Sequence, residues 1–125
     1  MQDLDELALT MPATSRTSTP DGRPSYLVSG KLFCCQRTRR RDALDDTGEM
    51  LDDVLMFRVA DLETKEALLA DTSSSFFTTP HFNGYAAVLI RLERIPVEQL
   101  KPVVVEAWLA RAPTRLSKEY LDRSR

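Results

Sequence analysis

The stretch FFTTPHFNGYAAVLIRL, residues 76–92, carries the strongest fold signal in this sequence. Residues 86–92 are apolar at almost every position, which is typical of a strand buried on both faces. We therefore predict a central strand there, preceded by a brief strand at 76–79 and a loop at 80–84 that contains the only histidine, His81. A strand of this kind needs cover on both faces, so the rest of the chain must supply helices and further strands.

Three more segments upstream of this stretch have strand character. Residues 25–28 and 31–37 are separated by a Ser-Gly pair and predict a hairpin, and residues 54–59 alternate in hydrophobicity and predict a further strand. Residues 13–24 are rich in Ser, Thr and Pro and predict a turn-rich connection. Successive strands joined by short turns pair side by side, so we expect an antiparallel sheet.

Four helices are predicted from the spacing of apolar residues, two of them after the last strand. Pro12 closes the first, Asp61 is the N-cap of the second, and Thr114 begins the last. Pro102 predicts that the third helix begins near Leu100 or is kinked, because proline inside a helix clashes with the carbonyl four residues earlier. The residues expected to face the core are Leu4, Leu7, Ala8 and Met11 in the first helix, Ala67, Leu68 and Ala70 in the second, Leu100, Val104, Ala107 and Trp108 in the third, and Leu116 and Tyr120 in the last.

The chain has 125 residues, of which 42% are hydrophobic and 29% charged, and this composition fits one domain with a single core. The predicted fold class is α+β: a single domain, residues 1–125, in which helices pack on one face of an antiparallel β-sheet. No apolar run is long enough to cross a membrane, and the acidic N-terminus does not resemble a secretion signal. We therefore expect a cytoplasmic protein with no membrane partner.

Residues 38–53 form a long charged segment that predicts a projecting, mobile loop. Basic residues at its start could hold several phosphates, each adding salt-dependent affinity. The alternative is that they only neutralise the six acidic residues that follow, and the net charge of −2 requires any nucleic-acid binding to be local. The candidate contacts are Arg37, Arg39, Arg40 and Arg41, with Arg115 and Lys118 near the C-terminus as secondary candidates.

Cys34 and Cys35 are adjacent in a predicted strand. Neighbouring side chains of a strand point to opposite faces, so we expect two reduced thiols rather than a disulfide, one in the core and one facing out. The same alternation predicts one face formed by Phe33, Cys35 and Arg37 and the other by Leu32, Cys34 and Gln36.

No combination of residues in the sequence predicts catalysis. The only histidine is His81, and neither cysteine lies beside a helix N-terminus or a Gly-rich elbow that would lower its thiol pKa. One histidine and no Cys-x-x-Cys exclude the usual zinc patterns, and the acidic run at 42–53 does not fit a calcium loop. We therefore expect no enzymatic activity, no metal site and no cofactor, and we interpret His81 as a loop residue that hydrogen-bonds locally.

The pattern Phe77-x-Thr79-Pro80-His81-Phe82-x-Gly84-Tyr85, followed by VLIRL at 88–92, closely resembles the signature of the MmcQ/YjbR family of small bacterial proteins. Supporting matches are GKLF at 30–33, FRV at 57–59, EALL at 66–69, AW at 107–108 and AP-x-RL at 112–116. The resemblance covers about residues 4–120. It implies a fold like that of CyaY, the bacterial frataxin, and DNA binding through projecting hairpins that form a double wing.

Three hypotheses for function follow. The first is a non-enzymatic DNA-binding protein of the MmcQ/YjbR type that contacts the phosphates of double-stranded DNA without base-specific readout. The second is a protein-interaction module that uses the 80–85 loop and the adjacent sheet face to bind a peptide or another protein. The third is a small-molecule or metal-binding domain that uses the acidic loop. High salt should abolish binding to phosphates and should barely affect an aromatic loop interface.

Overall fold

A computed structural model describes residues 2–37, 43–44, 46–71 and 75–123 of the chain. The helices are α1 (Gln2–Leu9), α2 (Leu62–Ala70), α3 (Val97–Arg111) and α4 (Thr114–Arg123), and the strands are β1 (Thr14–Ser18), β2 (Pro24–Val28), β3 (Lys31–Gln36), β4 (Val54–Arg58) and β5 (Ala87–Arg91). Short 3₁₀ turns lie at Pro80–Phe82 and Leu92–Arg94. Within these described ranges, no helix combines the length and the apolar character needed to cross a bilayer.

The five strands form one antiparallel sheet in the order β1-β2-β3-β4-β5, so each strand pairs with its neighbour in sequence. The predicted Ser-Gly turn joins β2 to β3. Ser29 (φ 49°) and Gly30 (φ 80°) both adopt the left-handed conformation of a two-residue hairpin turn. This sheet and the four helices confirm the predicted single α+β domain.

The strand β1 is not predicted by the sequence pattern, because its residues, Thr-Ser-Arg-Thr-Ser, show no apolar alternation. It lies at the edge of the sheet, pairs only with β2 and exposes four of its five residues. The expected turn-rich connection at 13–24 is therefore wrong for β1 itself. It is correct for the following turn, where the Gly22 N–H donates to the Thr19 carbonyl at 2.9 Å.

A bulge in β3 overturns the predicted division of its side chains between two faces. The register pairs Leu32 and Cys34 with consecutive residues of β2, which leaves Phe33 as an extra residue. Phe33 and Cys34 therefore both lie in the core on the helix side, whereas Leu32 and Cys35 lie on the opposite face. Both cysteines are free thiols, as predicted, with Cys34 fully buried and Cys35 partly buried.

The main core lies between the sheet and the helices, with α1 and α3 packed against it. Trp108 of α3 is fully buried, and its indole N–H donates to the Pro12 carbonyl at 3.0 Å. Tyr120 of α4 packs on the indole, with ring centroids 5.2 Å apart. The C-terminal half of the chain is thereby joined to the segment that follows α1.

The third helix begins at Val97 and contains Pro102, so the first of the two predicted alternatives, a start near Leu100, is wrong. Proline at this position removes one helical hydrogen bond. The predicted apolar face of α3 is buried on both sides of Pro102, and this packing offsets the loss. Its buried residues are Leu100, Val104, Ala107 and Trp108.

The second helix begins where the N-cap predicts, with the Thr64 N–H donating to an Asp61 carboxylate oxygen at 2.7 Å. Leu68 packs against the main core as predicted, but the other inward residues differ from the prediction. Ala67 and Ala70 are exposed, and the helix instead buries Lys65 and packs Leu69 beside Leu68 against the main core.

The face of the sheet opposite the main core carries a second, smaller apolar cluster. Its buried members are Val54, Met56, Ala87 and Leu89 from the sheet, with Ala43 and Phe82 packed on them. Ala43 is buried and Leu51 packs beside it, so these two residues of the predicted projecting loop lie against the sheet. Residues 38–42 and 45 of that loop lie outside the described residues.

The strand β5 is buried on both faces, as predicted, but it is the last strand of the sheet and not a central one. The segment expected to form a strand at 76–79 makes a single bridge instead, between Phe77 and Leu89. The backbone groups of these two residues exchange hydrogen bonds of 2.8 and 2.9 Å. The second apolar cluster and this bridge cover the face and edge of β5 that helices leave open.

Candidate functional site

A groove of about 470 Å³ opens on the face of the sheet that carries the second cluster. It is lined by Leu32, Cys35, Arg37, Met56, His81, Phe82, Asn83, Gly84 and Tyr85. We call it the loop groove, and we call residues 79–85, which form one of its walls, the signature loop. None of the described residues that line it is acidic. The structure thus brings Arg37 together with the signature loop, two features that the sequence predicted separately.

Arg37 lies in the wall of the loop groove and not on an open surface. Its guanidinium carbon is 5.0 Å from the centre of the Phe82 ring, and the residue is only 7% exposed. A cation stacked on an aromatic ring in a site with little water is held more tightly than one at the surface. So small an exposed area offers little to a phosphate group, and phosphate binding by Arg37 stays a prediction.

The signature loop is held from the α2 side by a buried lysine. The Lys65 ammonium donates to the Phe82 carbonyl at 2.6 Å and to the Tyr85 carbonyl at 2.8 Å. Lys65 is 6% exposed, and this desolvation lowers its pKa. In the described part of the chain its ammonium group bonds to these two carbonyls and to no carboxylate.

A second cation holds the same loop from β4. The Arg58 guanidinium lies 4.3 Å from the centre of the Tyr85 ring and donates to the Tyr85 hydroxyl at 2.8 Å. Its Nε donates to the Ala86 carbonyl at 3.0 Å. Arg58 and Lys65 together hold both ends of residues 82–86, so the groove wall is preformed.

The signature loop owes its shape to local backbone geometry. Pro80 begins the 3₁₀ turn, which the Phe82 N–H closes on the Thr79 carbonyl at 2.9 Å. Gly84 has φ 75°, a conformation that favours glycine. His81 is exposed and packs edge-on against Phe82 at 5.2 Å. Among the described residues it makes this ring contact and not the local hydrogen bond that the sequence predicts.

The groove contains few groups capable of covalent chemistry. Burial raises the pKa of the Cys35 thiol to about 11, although the nearby Arg37 opposes this shift. The thiol is therefore protonated near neutral pH and is a poor nucleophile. In the ranges that the structure describes, no three residues of the type His, Cys, Asp or Glu are grouped so that they could hold a metal ion. The arrangement of groups in the groove is suited to non-covalent binding.

Of the other predicted nucleic-acid contacts, the two that the structure describes, Arg115 and Lys118, are not brought to the groove. Arg39, Arg40 and Arg41 lie outside the described residues. Arg115 and Lys118 are exposed on α4, which packs through Leu116 and Tyr120 against the main core. They therefore lie on the helix side of the sheet, away from Arg37.

Sequence reasoning missed Arg58 and Lys65 as residues of the site. A charged residue that alternates with apolar ones in a strand, or that lies on a short helix, predicts a solvated side chain. Their partners in the loop are 27 residues away for Arg58 and 17 and 20 residues away for Lys65. No local pattern signals contacts over such separations.

The chain is 38% identical to uncharacterized proteins of Mycobacterium bovis and of two strains of Mycobacterium tuberculosis. Each alignment spans 127 positions and covers 98% of this chain and 95% of the mycobacterial protein. No protein-family model and no solved structure matches the chain.

Proposed function

We propose that this chain, which belongs to the same family as these uncharacterized mycobacterial proteins, is a non-enzymatic protein-interaction module of the MmcQ/YjbR type. The loop groove is its binding site. The observation that supports this proposal most directly is the open groove between β3, β4 and the signature loop. Its 470 Å³ is enough for one or two side chains of a partner segment.

The lining of the groove supports the same function. Leu32, Met56 and Tyr85 supply apolar contact, while Asn83 and His81 supply polar groups that can orient a bound segment. Tyrosine and arginine are the residues that most often dominate the energy of protein interfaces. The high pKa of the Cys35 thiol and the single histidine support the absence of catalysis.

Selection from a displayed library of random peptides tests this function. We expect enrichment of peptides that bind the wild-type chain and lose binding to Leu32→Lys, because a lysine at this half-buried wall position places a cation in the apolar groove. Loss should be about tenfold or more. The matched control is Leu121→Lys on α4, where the leucine is exposed. Failure to enrich any peptide, or peptides that bind both variants equally, would contradict the proposal.

A second candidate function, binding of double-stranded DNA, is favoured by the exposed positions of Arg115 and Lys118 on α4 and by the arginine-rich run at 39–41. This function needs only phosphate contacts. Arg115 and Lys118 lie on a different surface from the loop groove, so their contribution is separable from groove binding by mutation.

Fluorescence anisotropy of a labelled random duplex at ~50 and ~200 mM salt tests DNA binding. For two to four phosphate contacts the log-log salt slope should be roughly −2 to −4. Replacing Arg39, Arg40 and Arg41 by alanine should abolish binding, and Arg115→Ala with Lys118→Ala should weaken it. Leu32→Lys should bind DNA as the wild type does. Absence of binding at low salt would exclude this function.

A further inference from the structure

The floor of the loop groove contains two sulfur-bearing side chains from neighbouring strands. The register pairs Cys35 of β3 directly with Met56 of β4, and both residues line the groove. Directly opposite residues of antiparallel strands have Cβ atoms about 4.5–5.5 Å apart. A metal–thiolate bond is about 2.3 Å long, so two sulfurs on either side of one ion lie roughly 4–5 Å apart. The spacing of this strand pair therefore matches one metal ion held between the two sulfurs.

The signature loop adds a third donor to the same groove. His81 lines the groove from the loop side and is exposed. Its contact in the described part of the chain is the edge-on packing against Phe82 at 5.2 Å, so its ring nitrogens make no hydrogen bond there. The groove thus combines a thiol, a thioether and an imidazole, where His, Cys, Asp and Glu without methionine form no such group.

This donor set distinguishes between metal ions. Thiolate and thioether sulfurs are soft ligands that favour Cu(I), and imidazole also suits copper. Zinc sites are built from cysteine, histidine and carboxylates, without methionine. Calcium and magnesium need oxygen ligands, usually carboxylates, and none of the described residues that line the groove is acidic. Copper(II) prefers a planar set of nitrogen and oxygen donors. A set with two sulfurs and one nitrogen is therefore best matched by Cu(I).

Burial of the sulfur pair favours the same ion. Met56 is 3% exposed and Cys35 is partly buried, and an uncompensated charge at such positions is costly. When Cu(I) binds, the thiol of Cys35 releases its proton to water as the sulfur–copper bond forms. One monovalent cation then replaces one proton, so the net charge of the groove is unchanged. A divalent ion bound to the same single thiolate would add one positive charge.

We propose that the loop groove is a Cu(I)-binding site in which the Cys35 thiolate and the Met56 thioether hold the ion and the His81 imidazole is the third ligand. Cys34 takes no part, because the β3 bulge places it in the main core on the other face of the sheet. The groove is open to solvent, so the ion has an entry path. The inference does not depend on the proposed function, because the sulfur pair belongs to the sheet whether or not a partner segment binds.

Anaerobic titration of the full chain with Cu(I), buffered by a colorimetric chelator, tests the site. We expect one ion per chain and an ultraviolet charge-transfer band from thiolate to copper. Cys35→Ser should abolish the band, and Met56→Leu should weaken binding by about tenfold or more, because leucine keeps the volume and removes the sulfur. His81→Gln should weaken binding several-fold. The matched control is Met50→Leu, at an exposed methionine that does not line the groove, which should bind within about twofold of wild type.

Thermal melting gives an independent readout. Cu(I) should raise the melting temperature of the wild type and of Met50→Leu, because a ligand that binds only the folded state stabilises it, and should not raise that of Cys35→Ser. Zn(II) at the same concentration should have a smaller effect. Circular dichroism checks that each variant is folded, and if Cys35→Ser is not, Met56→Leu carries the test. Wild-type affinity in Met56→Leu, a persistent band in Cys35→Ser, or equal stabilisation by Zn(II) and Cu(I) overturns the inference.

Discussion

Cys34 and Cys35 are adjacent and of the same type, yet the β3 bulge gives them different surroundings. Cys34 is packed in the main core, and desolvation raises its pKa well above the ordinary value. Cys35 lines the loop groove, and its pKa is raised to about 11. In both cases the folded chain holds the thiol in its neutral form more strongly than the unfolded chain does.

The raised pKa of Cys35 in the folded chain predicts a loss of stability at high pH. The folded pKa of Cys35 is above its ordinary value of 9.0, so its contribution is fully present below about pH 9 and is lost as the pH rises through about 11. Denaturant unfolding from pH 7 to 11 should show a falling free energy of unfolding. Cys35→Ala should flatten the fall by up to ~1.4 kcal/mol per pH unit relative to wild type. Identical pH profiles for the two proteins would contradict this prediction.

At the scale of elements, the contact between α2 and the signature loop is the one that local sequence did not predict. The N-cap at Asp61 correctly marks the start of α2, because capping depends on residues three positions apart. The sequence pattern assigns Ala67, Leu68 and Ala70 to the inward face of α2, because apolar periodicity cannot anticipate a buried lysine whose partners are backbone carbonyls far along the chain. The edge strand β1 was missed for a related reason, since its backbone pairing needs no apolar side chain.

The buried lysine gives a prediction for the stability of this contact. Lys65→Met keeps the length and apolar stem of the side chain but leaves the Phe82 and Tyr85 carbonyls without their donor. We expect a loss of roughly 1–3 kcal/mol in the free energy of unfolding. Lys101→Met, at an exposed position of α3, should change it by less than about 0.5 kcal/mol. Equal stability of the two variants would show that the lysine contributes nothing through its ammonium group.

At the scale of the whole molecule, the sequence predicted the fold class and most helices, because alternating strands, capped helices and the turn at Ser29 and Gly30 are local signals. It did not predict that residues 43 and 51 help to cover the sheet. Two single apolar residues within a charged segment form no pattern that indicates burial. The sequence predicted the two parts of the candidate site, an arginine cluster and the signature loop, as separate features. Only the fold shows that Arg37 and Phe82 are in contact.

Trp108 lies where the start of the chain, the sheet and the last helix meet, and the chain contains no other tryptophan. Its indole is fully shielded from water and is tied to the Pro12 carbonyl. The segment after α1 and the helix α4 both contact this indole, so undocking of either one changes its surroundings. The intrinsic tryptophan fluorescence of the chain therefore reports whether both of its ends are docked.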